Sequence, residues 1–336
     1  MSNDIAAFVA ALPKTELHVH LVGAASVPTV LELARRHPDG GVPTDEALLQ
    51  DFYVFRDFAH FIDVILAVSA LVRTGEDVVT LVTGLARDLA QCTVRYAEVT
   101  VTPHLHLLAG IEPDELAEAL ETGRKRALDE HGVVLAWIFD IPGEKGRTAG
   151  TTTVRWALRH RPQGTVAFGL GGPEIGVGRA QFASMFALAR EAGLRSVPHA
   201  GETTGPATIW SAVNDLGAER IGHGISAIHD PRLVEHLAER QIALEVCPTS
   251  NLRTRAVRTI GEHPLPRLVQ AGVLVTLNTD DPGMFDTDLN REYLLCHKEF
   301  GFDRNDLAEL ARNGVRASFC DEDVRGRLLA EIDAVV

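Results

Sequence analysis

One stretch decides how the rest of the chain is interpreted: Lys14-Thr15-Glu16-Leu17-His18-Val19-His20-Leu21-Val22-Gly23-Ala24. As a β-strand it places His18 and His20 on one face, because successive side chains of a strand point to opposite sides. Two imidazoles in this arrangement can bind one metal ion. The pattern alone is equally compatible with a strand that carries two incidental histidines. The remainder of the chain has to decide between the two interpretations.

The composition is that of a globular protein with a large core. The chain has 336 residues, of which 46% are hydrophobic and 23% are charged. Since α/β barrels of this length form one unit, we expect a single domain over residues 1–336. The formal charge of -14 disfavours binding to nucleic acid and to anionic membranes. The run Arg253 to Arg258 is short and is typical of a solvated face.

Neither the N-terminal residues nor the cysteines indicate export. Residues 1–13 carry Asp4 and have no basic region before a long apolar run, unlike a secretory signal. No window approaches the roughly 18 apolar residues of a membrane span. The four cysteines are widely spaced and form no C-x-x-C pair: Cys92, Cys247, Cys296 and Cys320. This spacing disfavours a cysteine metal site and indicates a cytoplasmic protein.

Beyond the first strand, helical and strand patterns alternate. The runs predicted as strands are Val94–Val101, Val133–Phe139, Thr165–Leu170, Ser196–His199, Arg220–His223, Ile242–Cys247 and Val273–Asn278. Helical apolar spacing is found at Val27–His37, 57–73, 76–91, Pro113–Glu130, 151–160, Arg179–Ala192, Thr208–Leu216, Pro231–Arg240 and 264–271. Such alternation predicts an α/β fold with a parallel sheet, and eight units favour a closed (β/α)8 TIM barrel. Extra helices are expected after strand 1 and in the C-terminal tail Leu289–Ala334.

Titratable side chains collect at the carboxyl ends of several predicted strands. They are His18 and His20 on strand 1, His199 and Glu202 after strand 5, His223 on strand 6, and Asp280 with Asp281 after strand 8. The active site of a TIM barrel is built on this face from the strand ends. We therefore expect these side chains to converge in one site.

Three imidazoles and one carboxylate suit one Zn²⁺ or a similar divalent ion and leave a position for water. The residues predicted as ligands are His18, His20, His199 and Asp280. Some metallohydrolase barrels bridge two metals with a modified lysine on strand 4, and its absence from Thr165–Leu170 favours one metal. Taken singly, His199 is also compatible with a buried histidine bonded to a backbone carbonyl. Asp280 and Asp281 also fit an ordinary turn before Pro282, and for them both interpretations can hold.

Two further residues are candidates for the chemistry. Glu202 follows His199 by three residues, so it is a natural acid or base beside a bound water. His223 lies between two glycines, which leave room for a side chain aimed into the pocket. The alternative for His223 is a structural histidine at a tight turn.

Five segments together resemble the adenosine deaminase branch of the amidohydrolase superfamily. They are Pro13-Lys14-Thr15-Glu16-Leu17-His18-Val19-His20-Leu21, His199-Ala200-Gly201-Glu202, Arg220-Ile221-Gly222-His223-Gly224, Cys247-Pro248-Thr249-Ser250-Asn251 and Leu277-Asn278-Thr279-Asp280-Asp281-Pro282. They occur in the family's order and span residues 13–282. The cytidine-type zinc deaminases use H-x-E with P-C-x-x-C, which is absent here.

The resemblance implies zinc-dependent hydrolytic deamination of a 6-aminopurine nucleoside. One Zn²⁺ per chain would lower the pKa of its bound water to about 7 and so supply hydroxide for C6. By similarity, Glu202 delivers a proton to ring N1 and His223 orients the hydroxide. Asp281 bonds N7, and the backbone N–H of Gly172 bonds N3. Because N7 is an acceptor, Asp281 must carry a proton, which its crowded carboxylate neighbourhood favours.

Val22 departs from the family pattern. Adenosine deaminases carry aspartate in this position of H-x-H-L-D-G, where it bonds the ribose 5'-hydroxyl, and adenine deaminases carry glutamate. Valine can do neither, so a larger and less polar 5' group is expected. Val22 and the segments Asp57–Phe61 and Phe168–Gly176 look like the aminodeoxyfutalosine deaminase subgroup. This resemblance implies 6-aminodeoxyfutalosine, an intermediate of menaquinone biosynthesis, as the substrate.

Two classes of alternative remain at this point. Adenosine, 5'-deoxyadenosine or 5'-methylthioadenosine could be the substrate instead. The chain could also be a non-catalytic purine-binding relative, although the presence of Glu202 argues against this. The carboxylate of the expected substrate needs a cationic partner, for which the candidates are Arg56, Arg73, Lys145 and Arg147. The oligomeric state does not follow from the sequence.

Overall fold

The computed structural model describes the backbone of residues 2–53 and 58–336 and the side chains of residues 4–53 and 63–336. Eight parallel strands follow one another around a single sheet in chain order. They are β1 Lys14–His20, β2 Val94–Val101, β3 Val134–Pro142, β4 Thr165–Gly171, β5 Arg195–Ala200, β6 Arg220–His223, β7 Ala243–Val246 and β8 Val275–Leu277. The predicted strands are confirmed, although β3 runs three residues beyond the predicted end at Phe139.

Asp280 joins the last strand to the first. Its N–H donates to the carbonyl of His18, and the N–H of His20 donates to the carbonyl of Asp280, both at 2.9 Å. These two bonds form a parallel bridge between Asp280 and Val19. The sheet is therefore a nearly closed barrel, which confirms the predicted TIM barrel. The same bonds hold two strand ends of the candidate site together.

Helices surround the barrel. Within the described ranges they are α1 Ser2–Ala11, α2 Val27–Arg36, α3 Glu46–Phe52, α4 Phe58–Ser69, α5 Gly75–Gln91, α6 Pro103–Leu108, α7 Pro113–His131, α8 Gly146–His160, α9 Ala183–Glu191, α10 Pro206–Leu216, α11 Pro231–Arg240, α12 Pro248–Arg253, α13 Leu265–Gln270, α14 Pro282–Phe285, α15 Leu289–Phe300, α16 Arg304–Ala317 and α17 Glu322–Asp333. The extra helices predicted after strand 1 and in the tail are confirmed as α2–α5 and α15–α17. None of the described helices is long and apolar enough to cross a bilayer.

Several helix bounds differ from the prediction for local reasons. The helix predicted over 57–73 ends at Ser69, because Thr74 and Asp77 form a capping box that starts α5; its residue 57 lies outside the described residues. The helix predicted over 151–160 begins at Gly146. The N-terminal part of Arg179–Ala192 is a 3₁₀ turn that precedes α9.

Three short helices, which the sequence pattern did not predict, follow strands directly. α6, α12 and α14 have four to six residues and begin at Pro103, Pro248 and Pro282. Proline suits the first helical position, where its missing N–H has no partner to lose. Segments this short contain too few turns to show a helical period. They turn the chain immediately after β2, β7 and β8, at the carboxyl edge of the barrel.

The hydrophobic core fills the shell between the barrel and its helices. Phe139 of β3 packs edge-on against Trp156 of α8, with ring centroids 5.0 Å apart. Phe168 of β4 meets Phe186 of α9 in the same way at 5.1 Å. All four rings are buried. Packing on this side holds the strands, and with them the side chains at their carboxyl ends, in fixed positions.

Candidate active site

The four predicted metal ligands meet at the carboxyl edge of the barrel. The Nε2 atoms of His20 and His199 lie 3.2 Å apart. Oδ1 of Asp280 lies 3.3 Å from Nε2 of His20 and 3.5 Å from Nε2 of His18. Strands β1 and β5 and the turn after β8 thus bring residues from three parts of the chain to one point.

These distances fit one tetrahedral metal ion. Ligand bonds of about 2.0–2.1 Å, as zinc makes with imidazole nitrogen, place neighbouring donor atoms about 3.3 Å apart. Nε2 of His18 is buried without a hydrogen-bond partner. The donor set, three imidazoles and one carboxylate, is that of a catalytic divalent ion. The residues present therefore fit the metal that the sequence predicted.

His223 lies beside this group but farther from it. The donor atoms of His18, His199, His223 and Asp280 all fall within 4.8 Å of one another, so His223 could also belong to a metal group. Its Nε2 is, however, 3.8 Å from Oδ2 of Asp280 and 3.7 Å from Oε2 of Glu202. His20 lies closer to its neighbours, at 3.2 Å from Nε2 of His199 and 3.3 Å from Oδ1 of Asp280, and therefore fits the metal group better than His223 does.

The backbone at the strand ends is unusual. His223 and Asp280 adopt left-handed conformations with φ of 60° and 67°, which only a few per cent of non-glycine residues adopt. Gly222 precedes His223, and a Cβ there would lie 2.8 Å from Cε1 of His18 and 3.1 Å from Cγ of His199. Only glycine at position 222 lets the rings of His18 and His199 lie this close to the backbone. This close packing explains the glycine that precedes His223.

A buried ionic chain supports His18 from behind. Nδ1 of His18 bonds Oε2 of Glu245 at 2.8 Å, and Oε1 of Glu245 accepts from Nε of Arg220 at 2.6 Å. Arg220 also pairs with Glu98 across the barrel interior. Although burial raises the pKa of Glu245, Arg220 and His18 together hold it below its ordinary value. An ionised Glu245 accepts the Nδ1 proton of His18 and leaves Nε2 free for a metal.

Glu202 is held at the wall of the site by two contacts that sequence reasoning missed. Thr254 donates to Oε1 of Glu202 at 2.7 Å. Buried Glu174 accepts the backbone N–H groups of Thr203 and Thr204, both at 2.9 Å, and so fixes the loop that carries Glu202. No local motif could have identified these contacts, because Thr254 and Glu174 follow other strands.

Asp281 is half-buried beside the metal group. Burial and the neighbouring carboxylate of Asp280 raise the pKa of Asp281 to about 7. This agrees with the expectation that Asp281 carries a proton. A Cβ on Gly23 would lie 1.6 Å from Oδ1 of Asp281. The glycine after Val22 is therefore needed so that the Asp281 carboxyl can lie against the loop after β1.

One cavity of about 580 Å³ joins the predicted residues, a volume typical of small-molecule sites. The predicted residues that line it are His20, Val22, Gly172, His199, Glu202, His223, Asp280 and Asp281. His18 is buried next to the rings of His199 and His223, with centroids 4.5 and 4.7 Å away. A larger cavity of about 710 Å³ lies near α5 and α15 and contains none of the histidines. The smaller cavity, which the predicted residues line, is therefore the candidate active site.

Apolar side chains form part of the cavity wall. They include Leu21, Val22, Ile65, Val72, Val101, Leu105, Pro173 and Phe285. His106, buried in the same wall, has its pKa lowered to about 4 by burial and is neutral. Among the described residues, no arginine or lysine lines this cavity.

Three of the four candidate cations for a substrate carboxylate do not line this cavity. Arg73 binds Asp39 at 2.9 Å, Arg147 donates to the carbonyl of Gln181, and Lys145 is exposed outside the cavity. Arg56 and the segment Asp57–Phe61 lie outside the residues whose side chains are described. The exposed positions of Arg253, Arg255 and Arg258 confirm that this short basic run is a solvated face.

Comparison with known proteins gives consistent matches. A curated relative from Streptomyces coelicolor, named aminodeoxyfutalosine deaminase, is 57% identical over 98% of this chain and 86% of its own length. The crystal structure of adenine deaminase from Arthrobacter aurescens superimposes with a TM-score of 0.90 at 29% identity, covering 96% of this chain and 99% of that one. An amidohydrolase from Burkholderia ambifaria, solved with bound Zn, gives a TM-score of 0.87 at 28% identity, covering 98% and 93%.

The family model described as Adenosine deaminase matches residues 13–335. The match includes every strand of the barrel and all the residues that line the catalytic cavity. It also contains the segments on which the sequence resemblance rests. The family consists of deaminases that act on aminopurines. The chain belongs to the adenosine deaminase family.

Proposed function

We propose that the chain deaminates 6-aminodeoxyfutalosine to futalosine and ammonia with one zinc ion. The observation that carries the substrate assignment is Val22, which lies in the wall of the catalytic cavity among other apolar side chains. A 5'-hydroxyl would find no partner in Val22, whereas an aromatic 5' substituent gains contact area there. The name of the 57% identical relative supports the same substrate.

His18, His20, His199 and Asp280 are the proposed metal ligands. When bound, zinc would supply a hydroxide nucleophile near neutral pH. The ionised Glu245 supports this assignment, because it takes the Nδ1 proton of His18 and directs the lone pair of Nε2 into the site.

The remaining polar residues are proposed to handle the purine ring. Glu202 delivers a proton to N1 and makes C6 electrophilic, held in place by Thr254. Asp281 donates to N7, which its raised pKa of about 7 permits at neutral pH. The N–H of Gly172, on the cavity wall, donates to N3. His223 donates from Nε2 to the oxygen that attacks C6.

A substrate panel tests this proposal. We expect kcat/KM for 6-aminodeoxyfutalosine to exceed that for adenosine, 5'-deoxyadenosine and 5'-methylthioadenosine by at least tenfold, measured from the loss of aminopurine absorbance. A preference for adenosine would overturn the substrate assignment and leave the chemistry intact. If zinc-loaded protein released no ammonia from any aminopurine nucleoside, the chain would instead be a non-catalytic purine-binding member of the family.

A further inference from the structure

We propose that a buried chain of hydrogen bonds through Asn251 and His263 fixes the proton of His223 on Nε2, the nitrogen that faces the reaction site. This inference rests on the proposed function and deepens it. It makes Asn251 and His263 positioning residues that determine what His223 can do, although neither lines the catalytic cavity. Asn251, His263 and His223 are 0%, 4% and 1% exposed, so water does not compete for these bonds.

Three bonds form the chain. The backbone N–H of Leu265 donates to Nδ1 of His263 at 3.1 Å. Nε2 of His263 lies 3.2 Å from Oδ1 of Asn251. Nδ2 of Asn251 lies 3.0 Å from Nδ1 of His223. The chain therefore runs from a backbone amide to the imidazole at the edge of the metal group.

The backbone amide fixes the direction of every bond, because it can only donate. Nδ1 of His263 must accept and carries no proton, so the single proton of this ring is on Nε2 and is donated to Oδ1 of Asn251. The amide Nδ2 of Asn251 then faces His223 and donates to its Nδ1. Because Nδ1 of His223 accepts this bond, it carries no proton, and the proton of the ring is on Nε2.

The opposite orientation of Asn251 is excluded by the same bonds. Rotating the amide would set its N–H₂ group against Nε2 of His263, which would then have to accept as well. With both ring nitrogens accepting, His263 would have to be an imidazolate anion. Burial also favours a singly protonated His263, as the geometry does. It lowers the pKa of His263 to about 4 and so disfavours the doubly protonated ring at neutral pH.

The tautomer separates the role of His223 from that of its neighbours. The carboxylate of Glu245 accepts a hydrogen bond from Nδ1–H of His18 and leaves Nε2 unprotonated, with its lone pair free. Behind His223 stands the amide of Asn251, which donates and leaves Nε2 as an N–H. His18 can therefore bind a metal, whereas His223 can only donate to an oxygen. His223 neither completes the metal group nor removes a proton from water.

Nitrogen-15 NMR of the histidine rings tests the tautomer directly, in metal-free and zinc-loaded protein. For wild-type His223 we expect a protonated Nε2 and an unprotonated Nδ1. Asn251→Asp keeps the shape but replaces the donor by an acceptor, so we expect the proton to appear on Nδ1. Its kcat should fall by about a hundredfold or more, with zinc content unchanged, as the loss of one preorganised donor implies.

His263 provides a matched pair of variants without a new charge. His263→Leu removes the donor to Asn251 and frees its amide to rotate, so we expect a mixture of His223 tautomers and a lower kcat. His263→Gln retains an N–H donor near the same position and should restore the wild-type tautomer and recover much of the lost kcat. If His263 had a purely structural role, the His263→Gln and His263→Leu variants would not differ in the tautomer of His223.

Several results would overturn the assignment. A wild-type His223 protonated on Nδ1 would do so at once, as would an Asn251→Asp variant with near-normal kcat. Should Asn251→Asp fail to fold, equal tautomers and equal kcat in the two His263 variants would have the same meaning. If the wild-type protein deaminated no aminopurine, the proposed function would fail while the NMR signals still reported the tautomer.

Discussion

The hydroxyl of Thr254 donates a hydrogen bond of 2.7 Å to Oε1 of Glu202. The two residues follow different strands, β7 and β5, and meet only because the barrel brings the carboxyl ends of its strands together. Glu202 is 15% exposed, so this bond is partly shielded from water. Its orientation therefore depends on a residue that no local sequence motif connects to it.

Thr254→Val removes this hydroxyl with almost no change of shape. Losing one hydrogen bond to a carboxylate costs about 1.5–3 kcal/mol, and part of that should appear as a tenfold or greater fall in kcat, because the proton donor is less well oriented. Zinc content should not change. Thr122→Val is the matched control, since Thr122 is exposed on α7 and bonds only a helix carbonyl. Equal steady-state kcat for both variants would show that Thr254 does not orient Glu202.

Glu202→Gln tests the proton donor itself. The amide keeps the size of the side chain and can still accept from Thr254, but it cannot pass a proton to N1. General acid–base groups contribute about 10²–10⁴ to the rate, so we expect a loss of this size in kcat. Elemental analysis should find the same zinc content as in the wild type. Near-normal turnover would mean that another residue supplies the proton.

His199→Ala tests the metal group. Nε2 of His199 lies 3.2 Å from that of His20, and removing one of four ligands leaves an incomplete coordination shell. We expect the purified variant to contain little zinc and to show no deaminase activity. His229→Ala is a suitable control, since His229 is exposed and does not line the cavity. Full zinc occupancy in His199→Ala, by elemental analysis, would contradict its role as a ligand.

Val22→Asp tests the specificity. The new carboxylate would stand on the cavity wall where the family's adenosine-specific members have theirs, and it would bond a 5'-hydroxyl while disfavouring an apolar 5' group. We expect the ratio of kcat/KM for adenosine to that for 6-aminodeoxyfutalosine to rise by about tenfold or more. Val22→Ala, which enlarges the cavity without adding a hydrogen bond, is the control. Equal ratios in the two variants would place the specificity elsewhere.

The strand-end residues could be predicted from the sequence because two simple rules apply to them. Alternation along a strand puts His18 and His20 on one face, and parallel strands bring His199 and Asp280 to the same edge. Thr254 could not be predicted in this way, since its role depends on a contact between side chains that only the packed barrel defines. The same holds for His263, whose bond to Asn251 has no local signature.

The short helices also could not be predicted from the sequence. α12, which carries Asn251, has six residues and gives no period that could distinguish it from a loop. Gly23 shows the same limit at one residue, because its sequence position indicates a turn but not that the carboxyl of Asp281 lies where a Cβ on residue 23 would be. Residues whose placement follows from the path of a strand could be predicted, and those whose contacts follow from the fit of two loops could not.

Glu292 offers a test of buried charge away from the site. It is fully buried on α15, where its oxygens accept from the backbone N–H of Thr249 and the hydroxyl of Thr287. Burial raises the pKa of Glu292 from an ordinary 4.5 to about 7. The folded protein thus retains a proton between these two pH values, whereas the unfolded chain has lost it.

The sign of the pH dependence follows from this difference. The contribution of Glu292 to stability is fully present below about pH 4.5 and is lost as pH rises through about 7, by about 1.4 kcal/mol for each pH unit at most. Glu292→Gln cannot titrate, so its free energy of unfolding should rise relative to wild type between pH 5 and pH 8, as measured by chemical denaturation. Glu118→Gln, at an exposed position on α7, should show no such change. Parallel curves for wild type and Glu292→Gln would mean that Glu292 is already ionised in the folded protein at pH 5, stabilised by its two hydrogen bonds more than burial disfavours it.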